Sequence, residues 1–396
     1  MSAAGLNLLK ARLRATRTGP CAISEAVSLA AWASIWPHDA RLAVLRLLDP
    51  FQNAPGIATL AARSAAATTI QTWSSSVGPA VQDGGFYSFT LVGKDVTAFH
   101  QTGTTIKTKV IPIILSFDTG DVFDPTVANT GCGEIQSDVN GVLHGPIFKS
   151  HKYTPGGTNV GTVQYIDALQ REEFWLFTQP HSTAPHYHVK LSAKLVGAQS
   201  IGTSGFPVIA SGTCGALGLI EIGAWDSFVQ NTLFPLLAAQ GVSPTTFPIF
   251  LVKNVVFYNT TPSNCCILGY HSAFNNPSFG FNSQTYGIAE YDTSGEFGPA
   301  VQDNTVLTHE AGEWANDPYV NNATPAWGHI GQVPGCQGNL EVGDPLSGTT
   351  FPVVIGGKTY HAQELAFFGW FFGFNGGVNG WYSTNGTFLS PSSLCF

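Results

Sequence analysis

Apolar and polar positions alternate over several stretches of the chain with the two-residue rhythm of strands. Residues 85–92, 106–117 and 186–196 carry β-branched and aromatic side chains in this pattern. Pro112 sits inside the second stretch and predicts an edge position or a break, because proline donates nothing to a ladder. Residues 247–258 are apolar at almost every position, as in a strand buried on both faces. Residues 265–274 and 285–291 read as two further strands.

Four segments follow the helical period instead. In 164–175, Tyr165, Ala168, Leu169, Glu172 and Trp175 share one side. Residues 225–240 are amphipathic, with Pro235 as a kink point. Residues 303–316 start at Asp303, a good N-cap, and stop before Pro318. Residues 363–372 predict a last helix in the core. There is no internal repeat and no strand–helix–strand rhythm, so the pattern predicts an α+β fold.

The first 70 residues differ from the rest. They are rich in Ala, Leu and Arg, with a short helical run at 42–48 that ends at Pro50 and Pro55. They are expected to be a leader or a poorly ordered basic segment, followed by a β-rich part at 71–200 and a motif-bearing part at 201–396. Of the 396 residues only 11% are charged and 12% are aromatic. Disorder requires the opposite balance, and this composition suits an exported, β-rich protein with a sizeable core. Residues 1–70 hold seven Lys/Arg against three Asp/Glu, a net of +4, which leaves −12 of the overall −8 on the remainder. An acidic body repels phosphate backbones, so no nucleic-acid partner is expected. No apolar stretch reaches 18 residues, so no transmembrane helix is expected. The N-terminus makes a poor signal peptide, although Lys10, Arg12, Arg14 and Arg17 precede a weak apolar run. Seven cysteines are present. The six outside the N-terminal segment form an even set compatible with disulfides and with a secreted or cell-envelope location.

The chemistry concentrates in 303–316. His309-Glu310-Ala311-Gly312-Glu313 is an H-E-x-x-E sequence. On a helix, residues four apart lie on one face, so His309 and Glu313 can hold one cation between them. Glu310 projects about 100° away, where a general base would stand. Ala311 and Gly312 are small and are expected to leave room beside the helix. A catalytic zinc needs a third protein ligand. Glu341 is the first candidate and Asp344 the second, since a turn would aim both carboxylates one way. Asp317, His271 and His329 are alternatives, with His271 more simply read as a tethered edge-strand histidine. One imidazole with several carboxylates suits zinc, and an oxygen-rich set also suits calcium or manganese. His186 and His188 form an H-x-H pair that is expected to be a strand pair without a third ligand. No serine elbow, phosphate-binding loop or dinucleotide fingerprint is present.

Gly269-Tyr-His-Ser272, Leu307-Thr-His-Glu-Ala-Gly-Glu-Trp-Ala-Asn-Asp-Pro318, Trp327, Cys336 and Glu341-Val-Gly-Asp344 occur in an order that resembles exported bacterial H-E-x-x-E zincin-like proteins. These are distantly similar to the plant exordium, or phosphate-induced, proteins. The resemblance spans about residues 264–346. It implies a zincin-like metal-site helix packed on a mixed β-sheet, with His309, Glu313 and Glu341 matching ligands and Glu310 matching the base. Two features depart from it: Glu313 replaces the second histidine of ordinary zincins, and Cys336 precedes the Glu341-Val-Gly-Asp344 segment instead of following it. The function expected on these grounds is an exported metal-dependent hydrolase of peptides or proteins, using a metal-bound water that Glu310 activates. The competing expectation is a secreted or cell-surface binding protein with a structural cation at the same place.

Overall fold

The computed structural model describes residues 68–99, 102–210, 215–293 and 295–396. The basic N-terminal segment, apart from residues 68–70, lies outside the described residues. Helices and strands mix as an α+β fold around one curled, seven-stranded sheet.

In chain order the sheet contains β1 (Thr104–Phe117), β2 (Val122–Phe123), β3 (Val189–Leu195), β4 (Gln199–Thr203), β5 (Thr246–Lys253), β6 (Gly269–Asn276) and β7 (Phe281–Tyr291). Strand order runs β6–β7–β5–β1, and β1 also pairs with β2, β3 and β4. The β1–β5, β5–β7, β1–β3 and β1–β4 pairs are parallel. The β6–β7 pair is antiparallel and puts β6 on the edge. Strands from 71–200 and from 201–396 therefore share one sheet.

Pro112 lies inside β1, opposite Leu251 of β5, and not at an edge. The opposite flank explains how. There β3 pairs with β1 as far as Val110, and β4 takes over at Ile113. The missing N–H falls in the gap between two successive partners, where no ladder bond is lost.

The apolar run at 247–258 is buried throughout, as its composition requires, but it serves two sheets. It turns at Asn254, whose φ is 46°, and Val255–Tyr258 joins a separate four-stranded sheet. The segment around Pro235 is helical with a π-turn at Val229–Leu233 just before the proline, which releases the backbone that proline cannot bond.

Two helices position the site. Helix α1 (Tyr165–Glu173) is buried along its whole length. Helix α2 (Thr305–Asn316) carries the motif and is likewise buried. Trp314 fixes α2 to the sheet: its ring stacks on Phe247 of β5 with centroids 3.7 Å apart, and its indole N–H donates to Thr285 Oγ1 of β7 at 3.1 Å. Asp303 does not cap α2. Asn304 holds the N-cap position without a side-chain bond, and Asp303 instead accepts from His361 N and approaches His361 Nδ1, each at 2.8 Å.

The expected helix at 363–372 forms only over Phe368–Phe372. Ahead of it, β8 (Ala323–Ile330) and β9 (Val333–Asn339) form one hairpin, and β10 (Thr350–Ile355) and β11 (Lys358–Gln363) form another. Among the described residues no helix is long and apolar enough to cross a membrane.

Cys336 on β9 bonds Cys395 near the C-terminus. Cys265 and Cys266 form a vicinal disulfide, and Cys132 is also disulfide-bonded. The Cys336–Cys395 bridge closes a loop with a sequence separation of 59 residues. A loop of that length predicts about 4 kcal/mol of stabilisation through the unfolded chain. A Cys336→Ser/Cys395→Ser double variant should therefore show a clearly lower denaturant midpoint; an unchanged midpoint would contradict this.

Candidate metal centre

The motif helix lies beside the edge strand. Gly269 of β6 has no Cβ because one would stand 2.6 Å from Val306 Cγ1 and 3.0 Å from Glu310 Cγ. This close approach delivers His271, two residues along β6, to the carboxylates of α2. Its Nδ1 lies 3.6 Å from both Glu310 Oε2 and Glu313 Oε2. On the other side His309 Nε2 lies 3.2 Å from the same Glu313 oxygen and 3.6 Å from Asp344 Oδ1.

Glu313 is the hub. Two sets of ligand-type atoms lie within 4.8 Å of one another: His271, Glu310 and Glu313, and His309, Glu313 and Asp344. The second oxygen of Glu313, Oε1, is held by Gly343 N at 3.1 Å. His309 Nδ1 is oriented by Gln363 Oε1 at 3.1 Å, and Gln363 Nε2 in turn donates to Gly343 O at 2.7 Å. Such a bond to the far ring nitrogen fixes which nitrogen is presented to a cation.

The loop after β9 closes the chamber. A short 3-10 turn, Asp344–Leu346, aims Asp344 inward, and Gln337 Nε2 donates to its Oδ2 at 3.2 Å. Gly343 must be glycine here, since a Cβ would stand 2.6 Å from His309 Nδ1. Gly343→Ala should push the His309 ring out of place and weaken metal binding about tenfold or more; a metal titration with unchanged affinity would count against the geometry.

Of the residues that sequence singles out, His309, Glu313 and Asp344 come together, and Glu310 stands on the adjoining side with His271. Glu341 is buried in the same chamber, where its charge acts on Glu313 and His271, and its Oε1 accepts from Asn339 Nδ2 at 2.7 Å. It belongs to neither close set. Asp317 instead closes the turn after α2, accepting from Asn321 N at 3.0 Å and Asn322 N at 2.9 Å. His329 is exposed beside Cys336 and Cys395, whose disulfide removes the thiolates a metal would need. His188 pairs with Asp167 at 2.9 Å, and both His186 and His188 precede the strand that begins at Val189, so the expected strand pair does not form. Trp327 is a buried tether that donates to Asn339 O at 2.9 Å. Gly312 leaves no room beside the helix: a Cβ would meet Leu365 Cδ1 at 2.2 Å, so the small residue admits a core side chain.

Two residues of the site carry little sequence signal. His271 shows only as a histidine in a strand ahead of the motif. Gln363 falls in a segment whose pattern resembles a helix, and nothing marks it as the residue that orients His309.

The electrostatics are those of an anionic cage. Glu310, Glu313, Glu341 and Asp344 are all buried, and the ion pairs of the cage are made with His271 and His309. No lysine or arginine among the described residues pairs with these four carboxylates. Burial drives Asp344 up to about 8, aided by the charge of Glu313. Burial also raises Glu341, again with Glu313 adding to it, and raises Glu310 against the pull of His271. Burial opposes the charge on His309 and His271, yet the carboxylates around them hold both imidazoles well above the ordinary range. Glu313 resists the effect of burial, and the two imidazoles hold it below the usual carboxylate range.

This donor set fits a divalent cation. Atoms about 2.1 Å from a tetrahedral zinc lie roughly 3.4 Å from one another. The 3.2 and 3.6 Å separations around Glu313 Oε2 bracket that spacing and, at 3.6 Å, exceed hydrogen-bond lengths. His271 turns Nδ1 to the carboxylates, and its Nε2 is a buried polar atom without a partner.

Comparison with family models, with curated proteins and with solved structures finds no match to this chain.

Proposed function

We propose that the protein is an exported metal-dependent hydrolase, a zincin-like peptidase in class, with its centre on α2. The observation that carries this is the convergence on Glu313 Oε2 of two imidazoles and further carboxylates from a helix, an edge strand and a distant loop. His309, Glu313 and Asp344 would hold the ion, with His271 and Glu341 as the adjoining donors. When bound, a divalent cation supplies Lewis acidity that polarises a carbonyl and acidifies water. Zinc suits the imidazole-containing set, and calcium or manganese would suit its carboxylates.

Glu310 is the proton carrier of the proposal. Its carboxylate belongs to the His271 set and not to the His309 set, and burial raises its pKa above the usual carboxylate range, which makes it a stronger base. It would take a proton from the attacking water and deliver it to the leaving amine. His271, 3.6 Å from Glu310 Oε2, limits where that carboxylate can swing. Gln363 and Gly343 hold His309 and Glu313 still during these transfers. The Cys336–Cys395 disulfide supports an oxidising destination outside the cytosol. The order of Gly269–Ser272, the α2 motif and Glu341–Asp344 supports the zincin-like class through its resemblance to exported H-E-x-x-E proteins.

One observation favours a second function, a binding protein with a structural cation: His309 and Glu341 are only 8% exposed and Glu310 only 6%. Incubating the metal-loaded protein with a peptide library separates the two. The hydrolase proposal expects cleavage that a chelator stops and added metal restores. Absence of cleavage, together with a chelator-lowered melting temperature, would favour the structural cation.

A further inference from the structure

A cavity of about 220 Å³, whose lining shares no residue with the metal cage, lies between α1, the strand His151–Tyr153, and β10. Three carboxylates crowd the neighbouring core. Glu364 accepts from Ser383 Oγ, Asn385 N and Thr387, and Glu173 accepts from Phe368 N. Glu172 differs from both. It lines the cavity at 2% exposure and has neither a hydrogen bond nor an ion pair among the described residues. Lys152, exposed at the mouth, makes no ion pair with it.

Another polar group on the wall is also unsatisfied. Tyr153 is 7% exposed, and its buried hydroxyl has no partner. Glu172, Tyr153 and Tyr165 all line this one cavity. Tyr165 and Phe351 supply aromatic walls, their ring centroids 6.3 Å apart and tilted by 36°. The Tyr165 hydroxyl is already used, donating to Gln363 O. A buried carboxylate without a donor, a free phenol and two aromatic faces are the parts from which organic ammonium sites are built: an anion for the N–H groups and ring faces for the cation and its carbon frame.

We infer that this cavity binds a small organic ammonium compound, with Glu172 taking the charged nitrogen, Tyr153 adding a hydrogen bond and Tyr165 and Phe351 enclosing the apolar part. Size is consistent, because an apolar cavity of about 150 Å³ holds benzene, and this one has room for an aminomethyl group besides. Burial, with Glu173 and Glu364 adding to it, raises the Glu172 carboxyl well above the usual range, and an ammonium group would supply the positive charge that favours its ionised form. A neutral sugar or alcohol brings no such charge, and an anion would find no buried cationic partner there. The inference is independent of the metal-centre proposal.

Calorimetric titration of the full chain with benzylamine, benzyl alcohol and benzoate at neutral pH tests it. Benzylamine should bind one to one, benzyl alcohol about tenfold or more weakly, and benzoate not at all. Glu172→Gln should lower benzylamine affinity by about tenfold or more while bound-metal content stays unchanged, and Tyr153→Phe should lower it roughly threefold. Equal binding of the amine and the alcohol, or no binding of the amine to the wild-type protein, would overturn the assignment. So would full affinity in a folded Glu172→Gln variant. The comparison of the three wild-type titrations decides the matter even if that variant does not fold.

Discussion

Replacing Glu310 by Gln should stop hydrolysis, by about 10³-fold, while the protein keeps its metal and its fold. The magnitude is that of removing a positioned general base, which contributes roughly 10²- to 10⁴-fold. Gln has nearly the shape of Glu, so the packing of Glu310 against Gly269 is preserved. The set made by His309, Glu313 and Asp344 does not include Glu310 and should still hold the ion. The loss should appear in kcat more than in KM, because the proton is moved in the transition state and contributes little to substrate binding. Steady-state kinetics with metal analysis of the same sample measures both halves. Undiminished turnover would remove Glu310 from the mechanism.

The second large effect is expected at Glu313. Glu313→Ala deletes the one side chain common to both close sets and also frees Gly343 N. Metal affinity should fall by about 10³-fold or more, since the ion loses the one ligand that both sets share. In the wild type, ion at roughly 1,000 times its dissociation constant adds about 4 kcal/mol of stability, so chelation should lower the melting temperature by roughly 5 °C. The Glu313→Ala protein should melt at the same temperature with or without chelator. A variant that still responds to chelator like the wild type would show that the ion sits elsewhere.

Much of this was legible in the chain, and what was not has physical reasons. Spacing alone puts His309 and Glu313 on one helical face, because the helix fixes that relation locally. The Glu341–Asp344 loop could be nominated as a source of further carboxylates, but not resolved: the 3-10 turn at Asp344 and the need for a glycine at 343 are tertiary facts, set by the ring of His309. His271 could be named as an alternative but read more simply as a tethered edge-strand histidine, since its place comes from the edge strand pressing on α2 through Gly269. Gln363 ends a hairpin strand that its apolar neighbours disguise as a helix. In the fold, strand content was readable from alternation and apolar runs, whereas the switch of β1 from β3 to β4 at Pro112 depends on which strands arrive beside it. Asp303 has the chemistry of an N-cap, yet its carboxylate is engaged by His361, 58 residues away.

Metal content of the purified wild-type protein, after loading with zinc and removal of excess, tests the central claim most directly. One tightly held divalent ion per chain, with nitrogen and oxygen but no sulfur in its X-ray absorption spectrum, is the expected result. Retention of no ion by correctly folded protein, or a sulfur-rich shell drawn from the cysteines, would contradict a metal centre built on His309 and Glu313.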